Sequence, residues 1–307
     1  MRRLGSGPAR RFGLGLLGSV LLWLLPATTG AGSAAALSGS YLATGDSIAF
    51  GTNLALDPGN ADHFVGYPTP VAQALGLALA NSSCPGETSG HFISLSGPDL
   101  VCGLYRSTYP LHLFYTTSQL DFSLAFLRAH PDTRLVSIDI GANDLFRLEL
   151  VCATGRTAFT FQDIVALAES QNVAMSPQVG SCVLGRLPQA LLELGRNLDR
   201  IYGAWRAAGY RGPIVALTVY STDYADLAVT GLVAAMDQVI AAHTLAFGGR
   251  VADGFGAFAA AAATAGGDAC KAGLLNPLPP QLGVTGCDVH PSARGRQVLA
   301  GAVLRAA

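Results

Sequence analysis

The sequence predicts an α/β fold built on a parallel sheet, and three observations predict it. Short apolar runs that end at glycine or polar turns alternate with longer stretches of helical spacing, the order that produces βαβ units. Half of the 307 residues are hydrophobic and only 13% are charged, enough apolar surface for one sizeable core. Glycine and proline are scattered without a period, and no internal repeat is visible, which excludes collagen-like, low-complexity and solenoid classes.

Taken in order, Tyr41 to Thr44 is a short β-tolerant run that breaks at Gly45-Asp46-Ser47. Tyr67 to Leu79 opens with two prolines and continues as an apolar helix, and Leu79 to Ser82 reads as a second strand. Leu120 to Ala129 has helical spacing and stops before Pro131. Leu135 to Ile140 is a strand stopped by Gly141. Leu187 to Ala208 is an amphipathic helix closed by Gly209. Ile214 to Val219 is a strand of the buried type, Ala225 to Phe247 a helix and Arg250 to Ala252 a last short strand. Ser292 caps a C-terminal helix that runs to Leu304.

Residues 1–36 read as a secretory signal peptide: Arg2, Arg3, Arg10 and Arg11 precede an apolar run from Phe12 to Leu25, and Ala34-Ala35-Ala36 offers a cleavage site. The run is about 14 residues, short of the roughly 20 that span a bilayer. A Gly13-x-Gly15-x-x-Gly18 match lies inside this segment, follows no strand and is not a dinucleotide loop. Residues 37–307 then form one domain of an exported protein, and its six cysteines read as three disulfides. The formal net charge of −1 gives no reason to expect nucleic acid as a partner. His63, His91, His112, His130 and His243 form no spaced ligand pair, so neither a metal nor another cofactor is expected. Expected partners are a small-molecule or lipid ester and, transiently, lipid aggregates, with the chain itself a monomer.

In an open parallel sheet the site lies beyond the carboxyl ends of the strands. There the sequence offers Gly45-Asp46-Ser47, then Cys84-Pro85-Gly86-Glu87-Thr88, then Gly141-Ala142-Asn143-Asp144, and Asp288-Val289-His290 before the last helix. A hydroxyl, an imidazole, a carboxylate and neutral N–H donors are the parts acyl transfer requires. No Gly-x-Ser-x-Gly elbow occurs, which disfavours the α/β-hydrolase arrangement.

These ordered blocks resemble the SGNH hydrolase family, also called GDSL esterases and lipases, and in particular its exported, disulfide-containing bacterial members. The Gly66-Tyr67-Pro68 run fits that group too. The resemblance implies a three-layer α/β/α, flavodoxin-like fold. It implies that Ser47 attacks an ester carbonyl and that His290 takes and returns its proton. It also implies that the Ser47 and Gly86 backbone N–H groups and the Asn143 amide hold the oxyanion. The family pattern places an aspartate three residues before the histidine, where this chain has Cys287, so Asp288 is the candidate acid. Residues two apart in an extended segment share a side. The alternative is that a backbone carbonyl orients His290. Polysaccharide O-deacetylation and a non-catalytic surface-binding role on the same scaffold are the competing functions.

Six cysteines allow 15 connectivities. The simplest proposal pairs them sequentially: Cys84 with Cys102, Cys152 with Cys182, and Cys270 with Cys287. The segment from Leu145 to Arg186, with Phe146, Phe159, Phe161, Ile164, Val165 and Leu167, reads equally as an acyl-chain wall or lid and as a pinned loop around its own small core. Glu87 and Asp144 are expected to pin loops, and Tyr220, Asp223 and Tyr224 either line the cleft or pack at a strand end.

Overall fold

The computed structural model describes residues 39–170, 176–283 and 285–307. The signal-peptide reading of residues 1–36 falls outside them. In chain order the elements begin with β1 (Ser40–Gly45), α1 (Ser47–Phe50), α2 (Pro68–Leu75), β2 (Ala78–Asn81), α3 (Ser89–Ile93) and α4 (Cys102–Thr108). They continue with α5 (Gln119–Ala129), β3 (Thr133–Asp139), α6 (Ala142–Thr154), α7 (Phe161–Ser170), α8 (Pro177–Ala207) and β4 (Ile214–Leu217). The last are α9 (Leu227–Ala246), β5 (Arg250–Ala252), α10 (Gly254–Ala262), β6 (Leu275–Pro277), β7 (Cys287–Pro291) and α11 (Ala293–Ala306).

Five strands pair in parallel in the order β2-β1-β3-β4-β5. The alternation of side chains along each strand builds the layers. Tyr41, Ala43, Leu135, Val215 and Leu217 face α2, α10 and α11, packing with Val71, Phe258 and Leu299. Leu42, Val136, Ile138, Ile214 and Ala216 face the other way, onto Phe92, Leu127, Leu198, Trp205 and Ile240 of α3, α5, α8 and α9. Both faces are therefore covered, which is why the strands are apolar almost throughout. This is the three-layer α/β/α architecture expected, with a flavodoxin-like strand order whose reversal falls between β1 and β3. Of the described helices, α9 alone is long and apolar enough to cross a membrane. Its packing on β4, β5 and α8 gives its apolar length another use, in the core.

Three local differences from the sequence expectation have physical causes. Helix α8 starts at Pro177, not Leu187, with Ser176 as its cap, and runs through Pro188. An interior proline costs about 3 kcal/mol. The fully buried Val183 and the Cys152–Cys182 bond lie in this added part and offset it. Second, the segment after Asn143 is no irregular loop: α6 and α7 occupy much of it. Third, the sequence reading contains neither the antiparallel pair β6–β7 nor helix α10, because Pro277 lies within β6 with Pro279 and Pro280 just after it, and Gly254 and Gly256 open α10.

The three disulfides pair sequentially: Cys84–Cys102, Cys152–Cys182 and Cys270–Cys287. The first adjoins Gly86, the second ties α6 to α8, and the third fixes the start of β7, three residues before His290.

Candidate active site

The turn after β1 brings Ser47 to the first position of α1, half-buried, with Asp46 as the cap accepting a hydrogen bond from the Ile48 amide at 2.9 Å. Asp46 thus shapes the turn. The turn after β3 starts α6 and puts Asn143, buried, in its first turn. The Asn143 Nδ2 donates to Asp46 Oδ2 at 3.2 Å and to the Glu87 carbonyl at 2.9 Å. One amide therefore gathers the loops carrying Ser47, Gly86 and Asn143, and both its protons are engaged.

Gly86 is buried with φ +81°, a conformation that favours glycine, and a Cβ there would stand 2.4 Å from Val101 Cγ2. Glu87 and Asp144 pin loops as expected. Asp144 accepts from Ser89 N at 2.9 Å and Ser89 Oγ at 2.6 Å; burial pushes its carboxyl up to about 6. Glu87, fully buried, faces His91 Nδ1 at 2.5 Å. Burial alone would lower the His91 pKa, but the Glu87 carboxylate holds it above its ordinary value.

His91 did not stand out in the sequence, yet Glu87, His91 and Asp99 cluster closely enough to suggest metal ligands. Their oxygens are otherwise occupied: Asp99 accepts from the Cys102 and Gly103 amides at 3.0 and 2.9 Å, and Glu87 Oε2 accepts from Gln119 at 2.9 Å. A second cluster, Cys84, Glu87 and Cys102, has its sulfurs in a disulfide and offers no thiolate.

His290 and Asp288 lie on β7, which packs against α1. Asp288 is buried, and its Oδ1 accepts the His290 backbone N–H at 2.5 Å while standing 3.3 Å from His290 Nδ1. That last approach is not aligned as a hydrogen bond, so His290 Nδ1 and Asp288 Oδ2 have no partner among the described residues. Nor does a backbone carbonyl reach the ring there. Tyr220 donates to the Val289 carbonyl at 2.5 Å and stacks on Phe258 with centroids 4.1 Å apart, so it both lines the cleft and packs. Asn276 Nδ2 donates to the Pro291 carbonyl at 3.2 Å and to that of Thr52 at 3.4 Å, tying the end of the histidine strand to the chain just after the serine helix.

Beneath the serine turn lies a network that sequence reasoning missed. Asp139, at the end of β3, accepts from Ala49 N and Tyr67 Oη, each at 3.1 Å, and sits against Asp46. Burial, then the Asp46 charge, raises Asp139 well above the usual carboxylate range. Tyr41 and Tyr67 meet at Ser137 Oγ, at 2.6 and 3.2 Å. A buried-type strand, Leu135 to Ile138, running into an aspartate was the available signal.

A cavity of about 1000 Å³ opens from this edge, and Asp46, Ser47, Asn143 and Asp288 line it. Gly86 and His290 are not in its lining. Its far wall is apolar, with Leu145, Phe146 and Leu150 of α6, Val179 of α8, and Leu232 and Met236 of α9. Glu149, also in the wall, is pushed from 4.5 to about 7 by burial. Phe159, Phe161 and Ile164 pack with Leu100, Val101 and Leu150, so the segment after Asn143 supplies both a cavity wall and a small core of its own. Val165 and Leu167 have side chains outside the description.

Among solved structures the chain is similar to phospholipase A1 from Streptomyces albidoflavus, with 17% identity, TM-score 0.53, and coverage of 88% of this chain and 100% of that one. It is also similar to a putative GDSL-like lipase from Parabacteroides merdae, at 15% identity and TM-score 0.49, covering 88% and 95%. A mutant acetylxylan esterase from Geobacillus stearothermophilus matches at 17% identity and TM-score 0.48, covering 87% and 93%. No curated protein matches the chain. The profile of one family matches residues 43–298, most of the molecule, and with the fold above it shows that this chain belongs to the GDSL-like lipase/acylhydrolase family.

Proposed function

We propose that this hydrolase is an exported, metal-independent serine esterase that cleaves carboxylic esters with an acyl chain longer than acetyl, through an acyl-enzyme on Ser47. One observation carries the reading: Ser47, Asn143 and Asp288, from three distant stretches of chain, line one cavity whose far wall is apolar. An acetyl group leaves that wall unused, so the apolar space favours a fatty-acyl ester over polysaccharide deacetylation. Three disulfides support export to an oxidising compartment.

In this mechanism His290 accepts the Ser47 proton as the hydroxyl oxygen bonds to the ester carbon, then returns it to the leaving alcohol. Water, deprotonated by the same ring, releases the acid. A small turn of the imidazole converts the 3.3 Å approach at Nδ1 into a hydrogen bond to Asp288, which then stabilises the imidazolium. Charge on the carbonyl oxygen is met by the Ser47 and Gly86 N–H groups and by Asn143. The longer of the two Asn143 bonds, to Asp46 at 3.2 Å, is the one that redirects.

The test is hydrolysis of p-nitrophenyl acetate, octanoate and palmitate with and without EDTA. Ser47→Ala is expected to lose about 10⁵-fold or more in kcat, EDTA to change nothing, and octanoate to exceed acetate in kcat/KM. Activity surviving in Ser47→Ala refutes the assignment. In the same panel a loss of less than about tenfold in Asp288→Asn removes Asp288 from the acid role.

A further inference from the structure

Gln119, the first residue of α5, is completely buried and outside the cavity lining. A primary amide has two donor hydrogens and an acceptor oxygen, and here each is used between two loops. Its Oε1 accepts from Gly45 N at 2.6 Å, and its Nε2 donates to the Gly45 carbonyl at 3.0 Å and to Glu87 Oε2 at 2.9 Å. Gly45 stands two residues before Ser47, and Glu87 one after Gly86. The two loops are thus joined through one side chain, and the far oxygen of Glu87 is held by His91 at 2.5 Å. Only glutamine satisfies all three contacts. Glutamate loses both donors and brings a second carboxylate against Glu87, leucine takes away the partner of the Gly45 N–H and of Glu87 Oε2 and leaves the Gly45 carbonyl with the Cys84 N–H alone, at 3.1 Å, and asparagine is one methylene short.

We propose that Gln119, acting through Gly45 and Glu87, is a positioning residue that sets the separation of the Ser47 and Gly86 N–H groups. This rests on the oxyanion assignment given under Proposed function. It touches no substrate, so its removal changes how well the transition state is held and leaves ground-state binding in the apolar cavity alone.

The experiment measures kcat and KM for p-nitrophenyl octanoate in wild type, Gln119→Glu, Glu87→Gln and the double variant, with Ser47→Ala alongside. Folded sites are counted with a fluorophosphonate that labels the serine. Gln119→Glu is expected to lose about 10²-fold in kcat per labelled site, the scale of an ångström-sized displacement, with KM unchanged within about twofold. In the double variant the amide at 87 donates to the carboxylate at 119, which re-forms the link between the two loops without the bond to the Gly45 carbonyl, and at least about tenfold of kcat returns. Wild-type kcat per site in Gln119→Glu, a loss carried by KM alone, or no recovery in the double variant overturns the proposal. Should Gln119→Glu yield no folded protein, Glu87→Gln decides: about tenfold loss of kcat at constant KM supports it, and wild-type kcat overturns it. Activity in Ser47→Ala defeats the serine esterase reading itself. An inactive Ser47→Ala beside an unimpaired Gln119→Glu defeats only the positioning role.

Discussion

Replacing Glu149 with glutamine should flatten the pH dependence of stability and of long-chain substrate binding together. Glu149 sits on α6 in the cavity wall, and no described residue hydrogen-bonds its carboxyl. Burial moves its pKa from 4.5 to about 7. The folded state therefore favours the protonated form. Its contribution is fully present below about 4.5 and is lost as the pH rises through about 7. A displacement of that size corresponds to about 3 kcal/mol, and partial contact with solvent brings the expected value to about 1–3 kcal/mol. Asp144, raised to about 6, and Asp237, raised to about 8 by burial, act in the same direction, so wild-type stability should fall steadily from pH 4.5 to 8. The difference between wild type and Glu149→Gln isolates one group. The assay is urea unfolding at four pH values across that window, paired with KM for the octanoate ester. Wild type should lose about 1–3 kcal/mol more than the variant between pH 5 and 8, and its KM should rise while that of the variant stays level. Parallel stability curves would refute the reasoning, because an acid that ionises at its ordinary pKa feels no apolar surroundings.

Two further outcomes follow from the geometry. Gly86→Ala forces a Cβ to within 2.4 Å of Val101 Cγ2 and 3.1 Å of the Val101 amide, so the loop must shift; kcat should fall about 10²-fold or more for a displaced oxyanion donor, and melting measurements should show a loss of about 1–3 kcal/mol. Removing the Cys152–Cys182 pair, which closes a loop of 30 residues, should cost about 3–4 kcal/mol of stability by urea titration, with palmitate turnover reduced more than that of acetate.

The sheet was legible because each parallel strand is buried on two faces and therefore nearly all apolar, as in Leu135-Val136 and Ile214-Val215. The candidate site was legible where it is local: a short motif with a turn, such as Gly45-Asp46-Ser47, announces its backbone and offers a candidate chemistry. Bonds between distant side chains announce nothing. Gln119 reads as one more polar residue at a helix start, and its contact with Gly45 spans 74 positions. Asp139 reads as one more residue of a strand, because its partners Asp46 and Tyr67 come from distant stretches of the chain. Helix α6 was obscured by its own beginning: Gly141-Ala142-Asn143-Asp144 looks like a loop, and only the packing of Leu148 with Val183 and Leu232 shows how the following residues are used.

The bond that ties α6 to α8 has a consequence for anyone redesigning this hydrolase. Two sides of the chamber are riveted together, so neither can swing aside like a trapdoor to admit a bulkier guest. Altering which guests fit becomes a matter of exchanging the upholstery, at Leu145, Phe146 or Val179, and grafting new loops would leave the dimensions as they are. A variant lacking Cys152 and Cys182 alone would lose that rivet and keep the other two disulfides, and its selectivity should blur.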